Sequence, residues 1–127
     1  MKYGNRKVEY DGILFDSKKE AQRYCELKLL QRAGKIEKLE LQKVFQLIPA
    51  QYEYFERYGK TGKRLKDGMR CIEKSCVYVA DFAYMQDGKQ IVEDTKGYRD
   101  PSSAGYAKFV IKRKLMLWQY GIKIVEV

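Results

Sequence analysis

The sequence predicts an α/β domain built on a mixed four-stranded sheet, and three observations carry that reading. Two stretches have capping residues and helical spacing of apolar side chains, near 17–34 and 103–121. Four stretches rich in β-branched and large apolar residues lie between and after them. The order is helix, strand, strand, strand, helix, strand, which gives a largely antiparallel meander of three strands and a helical crossover to a fourth.

The elements follow in turn. Residues 3–15 read as a short hairpin, because Asp11-Gly12 sits between two apolar-rich pieces. Ser17 and Glu20 form an S-x-x-E capping box that opens the first helix, and Gly34 stops it. Ala21, Tyr24, Cys25, Leu27, Leu29, Leu30 and Ala33 supply its apolar face. Residues 36–48 predict one long or bent strand ended by Pro49, and 51–58 a further strand extending outward. Residues 57–74 carry seven basic side chains against Asp67 and Glu73, punctuated by Gly59, Gly62 and Gly68, and predict a flexible exposed excursion. Residues 76–85 and 89–96 predict a hairpin about Asp87-Gly88. Ser102 and Ser103 are candidate caps for the second helix, whose predicted apolar row is Ala107, Ile111, Leu115 and Trp118. Gly121 ends it, and 122–127 form the last strand. The chain thus reads as a single domain over 1–127 with a basic excursion at about 50–75.

Composition bounds the chemistry. Of 127 residues, 26 are Lys or Arg and 17 Asp or Glu, a formal charge of +9. A domain this basic predicts a polyanionic partner, most often nucleic acid. The chain has no histidine, so a Ser-His-Asp triad, a Cys-His protease, a His-ligated zinc site and a histidine general base are all excluded. Three cysteines, 25, 71 and 76, are too few for a four-thiolate zinc site, and their odd number predicts a reducing interior. The polar start and the lack of an apolar run near the ~20 residues needed to cross a bilayer predict no membrane association.

With Asp87 and Gly88 at the turn, Asp81 falls directly opposite Asp94. Strand alternation then places Asp94 and Lys96 on one face with Val77, Val79, Ala83, Met85 and Val92, and Glu93 on the other, against Phe82. Like charges directly opposite each other are destabilising, and carboxylates on an apolar surface are costly. A divalent ion would neutralise them, and oxygen donors suit Mg²⁺ or Mn²⁺. The blander reading is an ordinary Asp94–Lys96 ion pair beside a solvated Asp81.

A strand reaching Asp81, a hairpin, and then Asp94-Thr95-Lys96 resembles the PD-(D/E)XK nuclease superfamily, whose core has the same element order. Within it, "SKKEAQRYCELKLLQRAGKI", the "LQ…F" strand and "YVADFAY…G…VEDTKG" resemble a family of small phage-encoded, Holliday junction resolvase-like proteins. The resemblance covers about residues 8–127. It implies a restriction-endonuclease-like core and Mg²⁺-dependent hydrolysis of DNA phosphodiesters, with Mn²⁺ able to substitute. It implies that Asp81 and Asp94 hold the metal, that the Thr95 carbonyl adds a donor, and that Lys96 orients water or stabilises charge on the phosphorane. Glu20 matches the acidic residue that many members carry on the first helix. Ala80 stands where the superfamily often has proline. The implied partner is branched DNA, in phage recombination or replication within the cytoplasm of a bacterial host, and cutting two strands of a junction implies a homodimer.

Other candidates have competing readings. Glu20 is also the capping-box acid. Lys60, Lys63, Arg64 and Lys66 in the excursion, and Lys108 and Lys112 on the second helix, are candidate phosphate contacts or simply solvated charges. Gln42 resembles a polar position beside the family's site, or is a surface residue. The 11 tyrosines could stack on bases, although strand tyrosines usually pack. The alternative function is a non-catalytic basic nucleic-acid-binding module with a structural acid pair.

Overall fold

The computed structural model describes residues 6–95 and 102–127. Strands β1 (Val8–Tyr10) and β2 (Ile13–Phe15) pair as a hairpin, and α1 spans Lys18–Arg32. Strands β3 (Glu37–Ile48), β4 (Gln51–Tyr58), β5 (Arg64–Glu73), β6 (Cys76–Gln86) and β7 (Lys89–Asp94) follow. Helix α2 (Ala104–Tyr120) and strand β8 (Val125–Glu126) close the chain. The main sheet has the order β3-β6-β7-β8, antiparallel except for the parallel β7–β8 pair. A helical connection is what a parallel neighbour requires, and α2 provides it.

Local chemistry sets these elements. Asp11-Gly12 and Asp87-Gly88 all adopt positive φ, the conformation a two-residue hairpin turn demands. Ser17 accepts from the Glu20 N–H at 3.1 Å and Ser103 from the Tyr106 N–H at 3.1 Å, so each helix has its predicted N-cap. Tyr120 Oη donates to the Gln46 carbonyl at 2.6 Å and ties the end of α2 to β3.

Two core clusters fill the body. One joins α1 and the first hairpin to the sheet through Phe15, Tyr24, Leu27, Ile36, Phe82 and Tyr84. The other joins α2 through Phe45, Tyr78, Ala80, Ala83, Val92, Phe109, Met116 and Ile124. Strict alternation would put Ala80 and Phe82 together and Ala83 opposite. Instead Ala80 and Ala83 share the α2 cluster, and Phe82 between them belongs to the α1 cluster. On β3 the exchange is matched: Phe45 packs with α2, while Leu41 packs with α1. Both changes centre on the rung where Gln42 faces Asp81, flanked by Leu41↔Phe82 and Lys43↔Ala80. Gln42 there has φ 52°, the backbone departure that lets the strand coil.

Three expectations are corrected. The buried residues of α2 are Phe109 and Met116; of the predicted row Leu115 packs, partly buried, against the core, but Ala107 is exposed, Ile111 is 59% and Trp118 82% exposed. Leu29 of α1 is also exposed. The stretch 57–74, expected to be a flexible exposed excursion, is exposed but largely regular, because most of it is β5, paired antiparallel with β4. That ribbon is exposed nearly throughout, and neither core cluster includes any of its residues. Gly68 admits the Phe55 ring, which passes 2.2 Å from where a β-carbon would stand. Among the described residues, no helix is long and apolar enough to cross a membrane.

Candidate active site

The β6–β7 ladder has the register that places Asp81 opposite Asp94. Its last paired rung is Phe82↔Glu93, and the two aspartates stand one residue beyond it. β8 continues the sheet on the far side, with Asp94 paired to Glu126. Asp81 is half-buried and Asp94 buried. Both line one open groove of about 390 Å³ together with Tyr78, Phe109, Lys108 and Lys112. The aspartates, from adjacent strands, and the lysines, one turn apart on α2, therefore meet at one surface.

Hydrogen bonds fix the acids. The Thr95 N–H and hydroxyl donate to Asp81 Oδ2 at 2.8 and 2.7 Å. Both bonds fall on a single oxygen and so orient the carboxylate. Tyr78 Oη donates to Asp94 Oδ2 at 2.9 Å. Burial, and then the charge of Asp94, push the Tyr78 hydroxyl well above its ordinary range, so it remains a donor. The environment of the acids keeps part of the predicted apolar face: Val79 lines the groove, although exposed, and Ala83 and Val92 pack in the α2 cluster, but Tyr78 and Ala80 take buried positions there as well.

Glu20 joins from the first turn of α1. It is buried, and Gln42 Nε2 lies 3.4 Å from its Oε1. Burial, then the charges of Asp81 and Asp16, raise its carboxyl to about 7, with Asp94 adding to the effect. Glu20, Asp81 and Asp94 are thus electrostatic neighbours. The capping serine and the acid coexist, since it is the Glu20 backbone that bonds Ser17. Gln42, which also reads as an ordinary surface glutamine, reaches the site by its side chain.

Glu93 is held elsewhere. Arg23 Nε and Nη2 donate to its two carboxylate oxygens at 2.7 and 2.6 Å, and Tyr84 Oη donates to Oε2. Burial, then the bond to Glu93, push the Tyr84 hydroxyl up to about 12. Geometry therefore separates adjacent acids: Glu93 is a structural ion-pair partner and Asp94 a groove residue.

The remaining candidates divide. Lys96 lies outside the described residues. Lys60, Lys63, Arg64 and Lys66 lie on the β4–β5 ribbon, all exposed. Arg64 is paired with Asp67 at 2.7 Å. Sequence reasoning missed Tyr78 and Thr95 as partners of the acids. Thr95 sits inside the D-T-K motif, so its position was a usable signal; Tyr78 carried none, being one tyrosine among many.

The donor chemistry fits a hard divalent cation, since the carboxylates of Asp81 and Asp94 lie close enough to Glu20 to raise its cost of ionisation. Among the described residues, no three acidic or cysteine side chains already converge tightly enough to hold an ion. The groove is an acidic pair with flanking lysines rather than a closed cage. No curated protein and no solved structure matches the chain. A family model described as "Protein of unknown function (DUF1064)" matches residues 1–124, and the chain belongs to that family.

Proposed function

We propose that this protein is a metal-dependent DNA endonuclease with a restriction-endonuclease-like core, acting on branched DNA. The observation that supports it most is the shared groove of Asp81, Asp94, Lys108 and Lys112. Acids that can hold a cation stand beside bases that can hold phosphate, as phosphodiester hydrolysis requires.

Asp81, Asp94 and Glu20 would hold Mg²⁺, with Mn²⁺ as a substitute. The metal would supply charge neutralisation at the phosphate and a more acidic bound water. The chain's own residues do the rest. Thr95 fixes the orientation of Asp81, and Tyr78 that of Asp94. Lys108 and Lys112 hold phosphates of the bound strand. Lys96, two residues past Asp94, would orient the attacking water or meet charge building on the phosphorane.

A second reading has its own observation. Asp81 and Asp94 each accept hydrogen bonds from neighbouring side chains, as structural acids do. The chain would then be a basic nucleic-acid-binding module without chemistry. A panel of linear, nicked, flapped and four-way DNA, incubated with and without Mg²⁺, separates the two. Mg²⁺-dependent cleavage that disappears in Asp81→Asn and in Asp94→Asn, both still folded, supports the nuclease. Binding without cleavage supports the module, and cleavage within twofold of wild type in either variant removes Asp81 and Asp94 as the site.

A further inference from the structure

The β4–β5 ribbon presents two unlike faces. On one, Phe55 lies against Gly68, the Arg70 guanidinium stands 4.4 Å over the Phe55 ring, and Arg70 pairs with Glu53 at 3.1 Å. That face is satisfied by its own contacts. Alternation puts Tyr52, Tyr54 and Tyr58 on the other, where Tyr52 and Tyr54 pair across to Cys71 and Met69. The register shift near Phe55 adds its extra residue to β5, so alternation along β4 is unbroken.

Tyr54 is 68% exposed, and neither Tyr52 nor Tyr54 has a ring contact among the described residues. Tyr58 Oη donates to Glu56 at 2.7 Å, which holds that ring along the same face. At the tip, Lys60, Lys63 and Lys66 are exposed and have no ion pair among the described residues. Flat aromatic rings in a row, next to uncompensated positive charge, match the two demands of a single-stranded nucleic acid: stacking for bases and cations for phosphates. A second copy of this ribbon fits less well, because its like-charged tip would be repelled.

We propose that the Tyr52, Tyr54, Tyr58 face is a stacking platform for unpaired bases of DNA, with Lys60, Lys63 and Lys66 taking the adjoining phosphates. The choice of DNA rests on the nuclease reading, and the platform narrows its substrate to DNA with unpaired stretches, as at flaps and gaps.

The test is fluorescence anisotropy in EDTA, so that neither metal nor cleavage enters. The probes are a labelled single-stranded DNA of about twelve nucleotides and an oligomer of equal length and charge built of abasic sites. Wild type should bind the base-bearing strand more tightly. Tyr54→Ala and Tyr58→Ala should each weaken it by about fivefold or more, the low end of one base–aromatic stack. Both should leave abasic binding and the salt slope unchanged. Tyr54→Phe keeps the ring and should stay within about twofold of wild type, which separates stacking from loss of fold. Replacing Lys60, Lys63 and Lys66 by Ala should weaken both probes alike and flatten the salt slope.

Equal binding of the two probes by wild type would overturn the platform. So would tyrosine variants that bind normally but dissociate a dimer in light scattering, which would assign the face to a second copy. The nuclease reading fails separately, by the absence of Mg²⁺-dependent cleavage.

Discussion

Thr95 donates twice to a single oxygen of Asp81, through its N–H at 2.8 Å and its hydroxyl at 2.7 Å. The residue that follows β7 thereby sets the carboxylate of the neighbouring strand. Thr95→Val keeps the shape and the backbone bond but deletes the hydroxyl. We expect a stability loss of about 1 kcal/mol, the net worth of one hydrogen bond to a charged group at a partly solvated site. Mn²⁺ affinity and cleavage should fall further, by about 10- to 100-fold, as for other groups that orient a metal ligand. Thermal melts and Mn²⁺ titration of the variant check both. Unchanged Mn²⁺ affinity would mean that the orientation of Asp81 does not matter to the site.

The adjacent acids make a contrasting pair. Glu93 is 1% exposed and held by Arg23 and Tyr84, whereas Asp94 opens on the groove. Arg23→Ala leaves a buried carboxylate with Tyr84 as its remaining donor among the described residues, and we expect a cost of about 3 kcal/mol. Glu93→Gln should be milder and should leave Mg²⁺-dependent cleavage within a few-fold of wild type, while Asp94→Asn removes it. Urea unfolding and the cleavage assay, run on both variants, read the two effects. A Glu93→Gln protein that folds as wild type yet cannot cut would move the ligand role from Asp94 to Glu93.

The sequence favours Asp94 over Glu93 as the ligand without excluding Glu93, because a two-residue turn leaves one register and puts the two acids on opposite faces. The same reasoning held for Ala83 and Val92, which pack in the α2 cluster, and failed for the buried β6 residues before Asp81. Alternation assigned those positions to odd-numbered residues, but the coil at Gln42 and Asp81 exchanges which side each strand presents. A glutamine in a left-handed conformation leaves no mark in a sequence. The face of α2 was misphased for a related reason: Trp118 and Ile111 are apolar but exposed, and hydrophobicity cannot tell a core row from a surface one. Strand β5 was obscured by its charge and glycines, since a ribbon that buries nothing lacks the apolar pattern by which strands are found.

Glu20 gives a pH prediction. Its carboxyl is raised from 4.5 to about 7 in the folded chain, by burial first and by Asp81 next. Between those values the folded protein binds a proton that the unfolded chain does not. Stability without metal should therefore rise as pH falls from about 7 and level off below about 4.5. Glu20→Gln should remove most of that slope and raise stability at pH 8 by about 1–2 kcal/mol, less than the full shift implies because solvent screens the site. With no histidine in the chain, few other side chains titrate in this window. Melting temperature against pH, in EDTA, is the measurement. A Gln variant with the wild-type slope would show that Glu20 is not the group responsible.

Lys108 and Lys112 carry the last prediction. They stand at i and i+4 on α2 and line the groove that holds Asp81 and Asp94. Opposite charges so placed have two explanations with different consequences. If the lysines merely balance the acids, Lys108→Ala and Lys112→Ala should destabilise the fold and leave DNA affinity alone. If they hold phosphates, each change should weaken duplex binding at every sequence alike and lower the salt slope by up to about 0.9 for each phosphate no longer neutralised. Removing positive charge beside the acids should also tighten Mn²⁺ binding slightly, because less repulsion opposes the incoming cation. We expect the second pattern: weaker DNA binding, a flatter salt slope, and Mn²⁺ affinity held or raised. Binding isotherms at several salt concentrations, paired with Mn²⁺ titration of the same variants, distinguish them. An unchanged slope with a lowered melting temperature would make this lysine pair a structural counterweight to Asp81 and Asp94 and leave the groove without a phosphate-binding group on α2.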